Sequence, residues 1–281
     1  MTGPARPTTG ALPFAAPARL LERIDAAGER LATLAPDDAG LHTWFDGYRR
    51  QHRQRLALDL LLLEEWVLRR KILEPAVDAE PPPPDVSLLE AGAVPLLLTA
   101  ALHALPGVRT HAVDVAPERF ANAIDGLGLE VARCDLEREP LPHDDVSFDG
   151  VLFNELFEHL RIDLVATLRE ILRVLRPGGV LLLSTPNLRS LRGLRNLLVH
   201  HRAQTVGTDL YAQWRKLETL GHMGHVREYT AREVVEFLAQ VGFEVEATTF
   251  RGGWGRGLVG LVERLAPSLR PFVSVVARRP A

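Results

Sequence analysis

The chain has 281 residues, 46% apolar and 25% charged, enough for one main domain with an appendage or for two small domains. Its formal net charge of −3 gives no basis for broad attraction to nucleic acid or to an anionic membrane, although arginine is plentiful and leaves room for local basic patches. A single cysteine, Cys134, excludes an intrachain disulfide framework and fits a reducing, cytoplasmic compartment. From the N-terminus, residues 1–18 are rich in Pro, Ala and Thr, lack a long apolar h-region and read as a disordered leader.

Residues 19–80 lack strand patterning and form a helical N-terminal extension. Arg19–Leu34 sets Leu20, Ile24, Ala27 and Leu31 on one stripe at helical spacing. A second helix, about Leu41–Leu73, offers Trp44, Tyr48, Leu56, Leu60, Leu63 and Val67 as its buried side. Its apolar stretch Leu56–Leu63 contains Asp59 and runs into Glu64 and Glu65, so it is too short to span a bilayer. A helical pair of this size needs another surface to pack on. Residues 81–85, with Pro81–Pro84, form a stiff linker.

Beyond the linker, strands alternate with helices. Val86–Ala91 is a short apolar strand, followed by a helix over about Leu96–Leu105. Strand Arg109–Val115, a helix from Pro117, strand Glu130–Cys134 and strand Gly150–Phe153 come next. Asp163 can cap a helix carrying Leu164, Leu168, Ile171, Leu172 and Leu175, which stops at Pro177-Gly178-Gly179 before strand Val180–Ser184. Residues 187–227 break the rhythm with six arginines and four histidines. There Leu188, Leu191, Leu194 and Leu198 are expected to face inward from a solvated helix. Helix Arg232–Val241, strand Glu244–Phe250, a helix near Leu258–Leu265 and strand Phe272–Ala277 complete the chain. Near-continuous apolar strands separated by amphipathic helices indicate an α/β fold with a parallel sheet covered on both faces.

Three acidic residues stand at the carboxyl ends of successive strands. Glu90 and Gly92 end the first, where glycine lets a ligand approach the backbone. Asp114 lies 22 residues beyond Gly92, an offset at which a carboxylate can accept from both ribose hydroxyls. Taken alone, it could equally be a solvated cap for the helix at Pro117. Asp135 could accept from an adenine amino group while Leu136 packs on the ring, or could simply form a turn.

The stretches LLEAGA, HAVDVAPERF, ARCDLE, FDGVLFNELFEHL, LRVLRPGGVLLLSTPN and REYT followed by VGFEV together resemble the class I S-adenosylmethionine-dependent methyltransferases of the small-molecule type, over residues 86–250. The resemblance implies a Rossmann-like, doubly wound, mostly parallel seven-stranded sheet whose last strand, Phe272–Ala277, is antiparallel. That domain would occupy residues 86–281, with a substrate lid at about 187–227. It also implies S-adenosylmethionine as cofactor, with Glu90 and Gly92 beside its methionine part, Asp114 on the ribose, and Asp135 and Leu136 on the adenine. Asn154 and Glu155 would line the methionine end and the substrate entrance. The sequence departs from the family at Val94 and Pro95, where a further glycine is usual, and Pro95 supplies no backbone donor. A non-catalytic scaffold that has lost the cofactor is the alternative this departure raises.

Methyl transfer needs two positioned reactants, and a base only where the nucleophile must lose a proton. His159 and His225 are the candidate bases, with Glu155 beside them and His222 close in sequence. Glu155, Glu158 and His159 follow an E-x-x-E-H spacing similar to the metal-binding motif of ubiquinone-pathway and small-RNA O-methyltransferases, with His225 as a fourth ligand. The spacing is also widespread in metal-independent methyltransferases, and no metal is expected here. An NAD-dependent oxidoreductase is disfavoured because the first turn lacks G-x-G-x-x-G. The expected partner is a small-molecule methyl acceptor, with no nucleic acid and no membrane; a homodimer is compatible.

Overall fold

The structure, a computed structural model, describes residues 8–34, 39–68, 86–205, 209–220, 224–253 and 255–281. The proline linker and His222 lie outside the described residues. The elements run β1 (Thr8–Ala11), α1 (Ala18–Thr33), α2 (Ala39–Leu63), β2 (Val86–Ala91), α3 (Leu97–His103), β3 (Val108–Asp114), α4 (Ala121–Leu127), β4 (Glu130–Arg133), β5 (Phe148–Asn154), α5 (Leu164–Val174) and β6 (Leu175–Pro186). The chain then continues through α6 (Leu191–His200), α7 (Leu210–Leu220), α8 (Ala231–Val241), β7 (Glu244–Arg251), α9 (Gly257–Leu265) and β8 (Phe272–Arg278). The sheet has eight strands in the order β1-β7-β8-β6-β5-β2-β3-β4. The pairings β1–β7, β2–β3, β2–β5 and β3–β4 are parallel, and β8 runs antiparallel to β7 as the resemblance implied.

The eighth strand comes from the expected leader: Thr8–Ala11 pair in parallel with Ala247–Phe250. Thr8-Thr9-Gly10-Ala11 is exposed along its whole length, so it has no apolar periodicity to reveal it; the unpaired edge of β7 makes it a strand. Strand β6 also starts earlier than expected, at Leu175, with Pro177 and both glycines inside it.

Two compact units are distinguished, one comprising Met1–Phe14, Phe153–Leu172 and Leu181–Pro280, the other Ala15–Leu152, Arg173–Val180 and Ala281. In the second, α1 buries Leu20, Ile24, Ala27 and Leu31, the expected stripe. Ion pairs Arg19–Glu64, Asp25–Arg53 and Glu29–Arg49 run in opposite senses along α1 and α2, so the two helices are antiparallel. Such exposed pairs fix register more than they add stability. Trp44, expected in the core, is exposed; its neighbour Phe45 takes the inward position, 6.1 Å from the ring of Phe120. Strand β2 is buried at every position, as a central parallel strand should be.

In the other unit, α6 departs from expectation. Gly193 and Asn196 face inward, whereas Leu198 is 73% exposed. Two contacts set this orientation. A Cβ on Gly193 would lie 2.0 Å from the carbonyl oxygen of Leu188, so only glycine allows that close approach. The Asn196 amide also donates to the Gln204 carbonyl at 2.7 Å. Helix α8 starts with a capping box: Thr230 Oγ1 accepts from the Glu233 amide, and Glu233 accepts from the Thr230 amide at 2.8 Å. The T-x-x-E spacing that signals this box is present in the sequence at the end of the REYT motif. Thr230→Ala should therefore cost about 1 kcal/mol, read as a lower urea midpoint; an unchanged midpoint would show that the cap contributes nothing.

Candidate functional site

Register places two of the three strand-end carboxylates on one face. Glu90 pairs opposite Ala112, and Asp114 lies two residues further along β3, so both project from the same side of the sheet. Glu90 is buried and accepts from Thr99 Oγ1 of α3 at 2.5 Å. Burial, above all, pushes its carboxyl up to about 8; the Thr99 hydrogen bond opposes this, while Asp59 and Asp114 add to it.

Gly92 takes φ +71 in the turn that follows, a left-handed conformation suited to glycine. Asp114 then holds this turn: Oδ2 accepts from the Val94 amide at 2.9 Å and Oδ1 from the Ala116 amide at 3.0 Å. The position that departs from the glycine-rich pattern is thus fastened by the residue expected on the ribose. A carboxylate has about four acceptor sites, so Asp114 keeps capacity for hydroxyls. Asp135 is occupied locally, accepting from the Glu137 amide at 3.1 Å with Arg138 Nε 3.6 Å away. Leu136 beside it is half-buried.

In the other unit, Asn154 ends β5 with its side-chain Nδ2 buried and without an acceptor among the described residues. Next to it, Glu155 takes φ +51 and turns its Oε1 to Ser184 Oγ at 2.9 Å and to the buried Arg251 at 3.5 Å. It therefore faces the Arg251 charge, and among the described residues it is not part of the group that Glu158 forms with the histidines. Glu158 occupies that place. Buried in full, it accepts from Thr185 Oγ1 on Oε2 at 2.9 Å, while Oε1 stands 4.0 Å from His159 Nε2 and 3.9 Å from His225 Nε2. The two imidazole rings meet edge to face with centroids 5.0 Å apart.

Two further residues, not read from the sequence, position His225. Buried Glu228 pairs one oxygen with His225 Nδ1 at 2.8 Å and takes the Thr205 amide on the other at 2.6 Å. Gln213, also buried, accepts from the His225 amide at 3.2 Å. The H-x-x-E spacing of His225 and Glu228 was a signal for the first; nothing local signals Gln213. Tyr229 packs 4.7 Å from Phe157, and burial, foremost, raises its phenol above the usual range. Among the described residues, Glu158, His159 and His225 form a group whose ligand atoms all lie within 4.8 Å of one another.

Residues 45–248 match the methyltransferase-domain family, well over half of the chain. The chain belongs to that family, the class I S-adenosylmethionine-dependent methyltransferases. It is 35% identical over 120 residues to a "Probable S-adenosylmethionine-dependent methyltransferase" of Mycolicibacterium smegmatis, a match covering 43% of this chain and 37% of that relative's length. The chain therefore aligns with only about a third of that curated relative. In fold it is similar to the 4+2 cyclase SpnF, with TM-score 0.52, 16% identity and coverage of 97% and 99% of the two chains. A SAM-dependent methyltransferase from Thermotoga maritima has TM-score 0.50 and 17% identity, with coverage of 90% and 99%. These likenesses show the shared fold, and a cyclase among them illustrates that this fold does not dictate one chemistry.

The raised carboxyl of Glu90 has a measurable consequence. The native protein keeps a proton there that the unfolded chain releases above about pH 4.5, so this group's contribution to stability falls as pH rises from there to about 8. Glu90→Gln should flatten that part of the melting-temperature profile and leave the variant the more stable protein at pH 8.5. Parallel wild-type and variant profiles would show that Glu90 is ionised throughout.

Proposed function

We propose that the protein transfers a methyl group from S-adenosylmethionine to an oxygen or nitrogen of a small-molecule acceptor, in a reducing, cytoplasmic setting. The observation that carries this reading is the pair of imidazoles at Glu158, one of them oriented by Glu228. Bound cofactor would supply a methyl carbon activated by its sulfonium sulfur. By resemblance, Glu90 and Gly92 serve its methionine part, Asp114 its ribose, and Asp135 with Leu136 its adenine. Asn154 fits the same assignment, because a buried amide nitrogen without an acceptor suits the methionine carboxylate.

Glu228 accepts from His225 Nδ1–H, leaving Nε2 as the basic nitrogen. His225 Nε2 would take the proton of an acceptor hydroxyl as its oxygen attacks the methyl group that the bound cofactor would supply. Glu158, 3.9 Å away, stabilises the imidazolium so formed. His159 faces the same carboxylate and serves as the second candidate base. A hydroxyl acceptor suits this arrangement best, since an oxygen nucleophile gains most from proton removal. Glu155 is retained in the site as the residue that holds Arg251.

His225→Ala should lower turnover on the order of 10²-fold or more, measured as transfer of labelled methyl to a panel of alcohols and amines, with affinity for S-adenosylhomocysteine unchanged. Wild-type turnover in this variant and in His159→Ala would remove both residues from the mechanism. Calorimetric titration with S-adenosylhomocysteine separates the enzyme from a non-catalytic scaffold, since absence of heat at millimolar ligand would sink the enzyme reading. Because Glu158, His159 and His225 also have the donor set of a divalent-cation site, activity after exhaustive chelation decides between two roles. Unchanged rates assign the imidazoles to proton transfer, and a loss restored by added zinc or manganese assigns them to a cation.

A further inference from the structure

Three helices of one unit are inside out. Helix α6 buries Gly193 and Asn196, α7 buries Gln213, and α9 buries Gly260 and Glu263. Leu191, Leu194 and Val262 are half-buried, and none of the described large apolar side chains of these helices is fully buried. Of the fourteen exposed large apolar side chains among the described residues, ten belong to these three helices. Leu198 and Tyr211 are each 73% exposed, Trp214 51%, Leu258 77%, Leu261 51% and Leu265 78%. Scattered exposed leucines need no explanation, but a concentration of this kind does. Helices α6 and α9 are also tied together: the Asn187 amide at the entry to α6 donates to the carbonyls of Ser268 and Arg270 just after α9, at 2.9 and 2.8 Å.

Charge sets this surface apart from the rest of the molecule. Residues 189–220, which span α6 and α7, hold five arginines and one lysine against Asp209 and Glu218, in a chain whose net charge is −3. Arg189, Arg192, Arg195 and Arg202 are exposed and carry no ion pair among the described residues. Leucine ridges flanked by unpaired arginines, with a tryptophan and a tyrosine at their edge, match what an anionic lipid surface receives from a peripheral protein. Apolar side chains enter the acyl boundary, aromatic rings sit at headgroup depth, and guanidinium groups meet phosphate. A second copy of the chain is a poorer occupant, because a two-fold contact would set these arginines against themselves with only Asp209 and Glu218 to offset them.

We propose that α6, α7 and α9 dock the protein peripherally on an anionic phospholipid bilayer. None of the described helices is long and apolar enough to cross a membrane, so attachment is interfacial. The inference is independent of the methyl-transfer reading, and its test needs neither cofactor nor acceptor. The full-length protein is floated with vesicles of phosphatidylcholine alone and of phosphatidylcholine mixed with phosphatidylglycerol. Binding should favour the mixed vesicles strongly and weaken as salt is raised. The variant Leu198→Ser/Leu258→Ser/Leu265→Ser and the variant Arg192→Ala/Arg195→Ala should each partition at least about tenfold less. Both should melt at the wild-type temperature, since the substituted side chains make no buried contact. Absence of flotation, equal flotation on both lipids, or undiminished flotation of both variants overturns the proposal. So does self-association in sedimentation equilibrium that the leucine variant abolishes, which would give the face to a second copy.

Discussion

The carboxylate of Glu158 is the fixed point of the candidate catalytic unit. A buried acid must be paired or hydrogen-bonded if it is not to destabilise the fold by several kcal/mol. Thr185 takes one of its oxygens, and the other faces both imidazole Nε2 atoms at about 4 Å. Its backbone carbonyl also accepts the Val226 amide at 2.8 Å, so the segment bearing His225 is hung on the same residue twice. Glu228 and Gln213 then complete the clamp on His225 from its far side. An imidazole anchored through Nδ1 on Glu228, with its backbone amide fixed by Gln213, has one tautomer and one orientation, which is what proton transfer at a defined atom demands.

Strand-end geometry governs the other unit in the same way. Parallel register alone puts Glu90 and Asp114 on one face, and the turn between β2 and α3 must then fit against them. Glycine-rich turns usually leave their backbone donors open to a ligand. Here Asp114 takes the Val94 amide and Pro95 has none to offer, so neither residue presents a free backbone donor in this turn.

Much of the fold was legible because it depends on short-range periodicity. The stripe Leu20, Ile24, Ala27, Leu31 and the apolar runs of β2 and β5 are read correctly without knowing their partners. Strand β1 was not legible, because Thr8–Ala11 owes its conformation to the free edge of β7, more than 230 residues away. The site shows the same division. His159 and His225 were readable as candidate bases, but E-x-x-E-H could not say which glutamate turns toward them. That choice rests with Arg251, distant in sequence and almost wholly buried, which takes Glu155 and leaves Glu158 to the histidines.

Helices α6, α7 and α9 carry the most general consequence. Helical periodicity identifies an apolar stripe but contains no sign; that the stripe faces inward is an inference from the usual scarcity of other apolar partners. In α6 the inward side is decided by the backbone contact at Gly193 and the Asn196 bond, and in α7 by the demand of the His225 amide for the Gln213 carbonyl. The first of these is a steric close approach and the other two are hydrogen bonds, and each turns a small or polar residue inward in place of a leucine. Exposing those leucines costs the burial energy they would otherwise supply, about 1.5–3 kcal/mol for a fully buried leucine. Three helices accepting that cost together are better explained by a surface that covers them in use than by three separate accidents of packing.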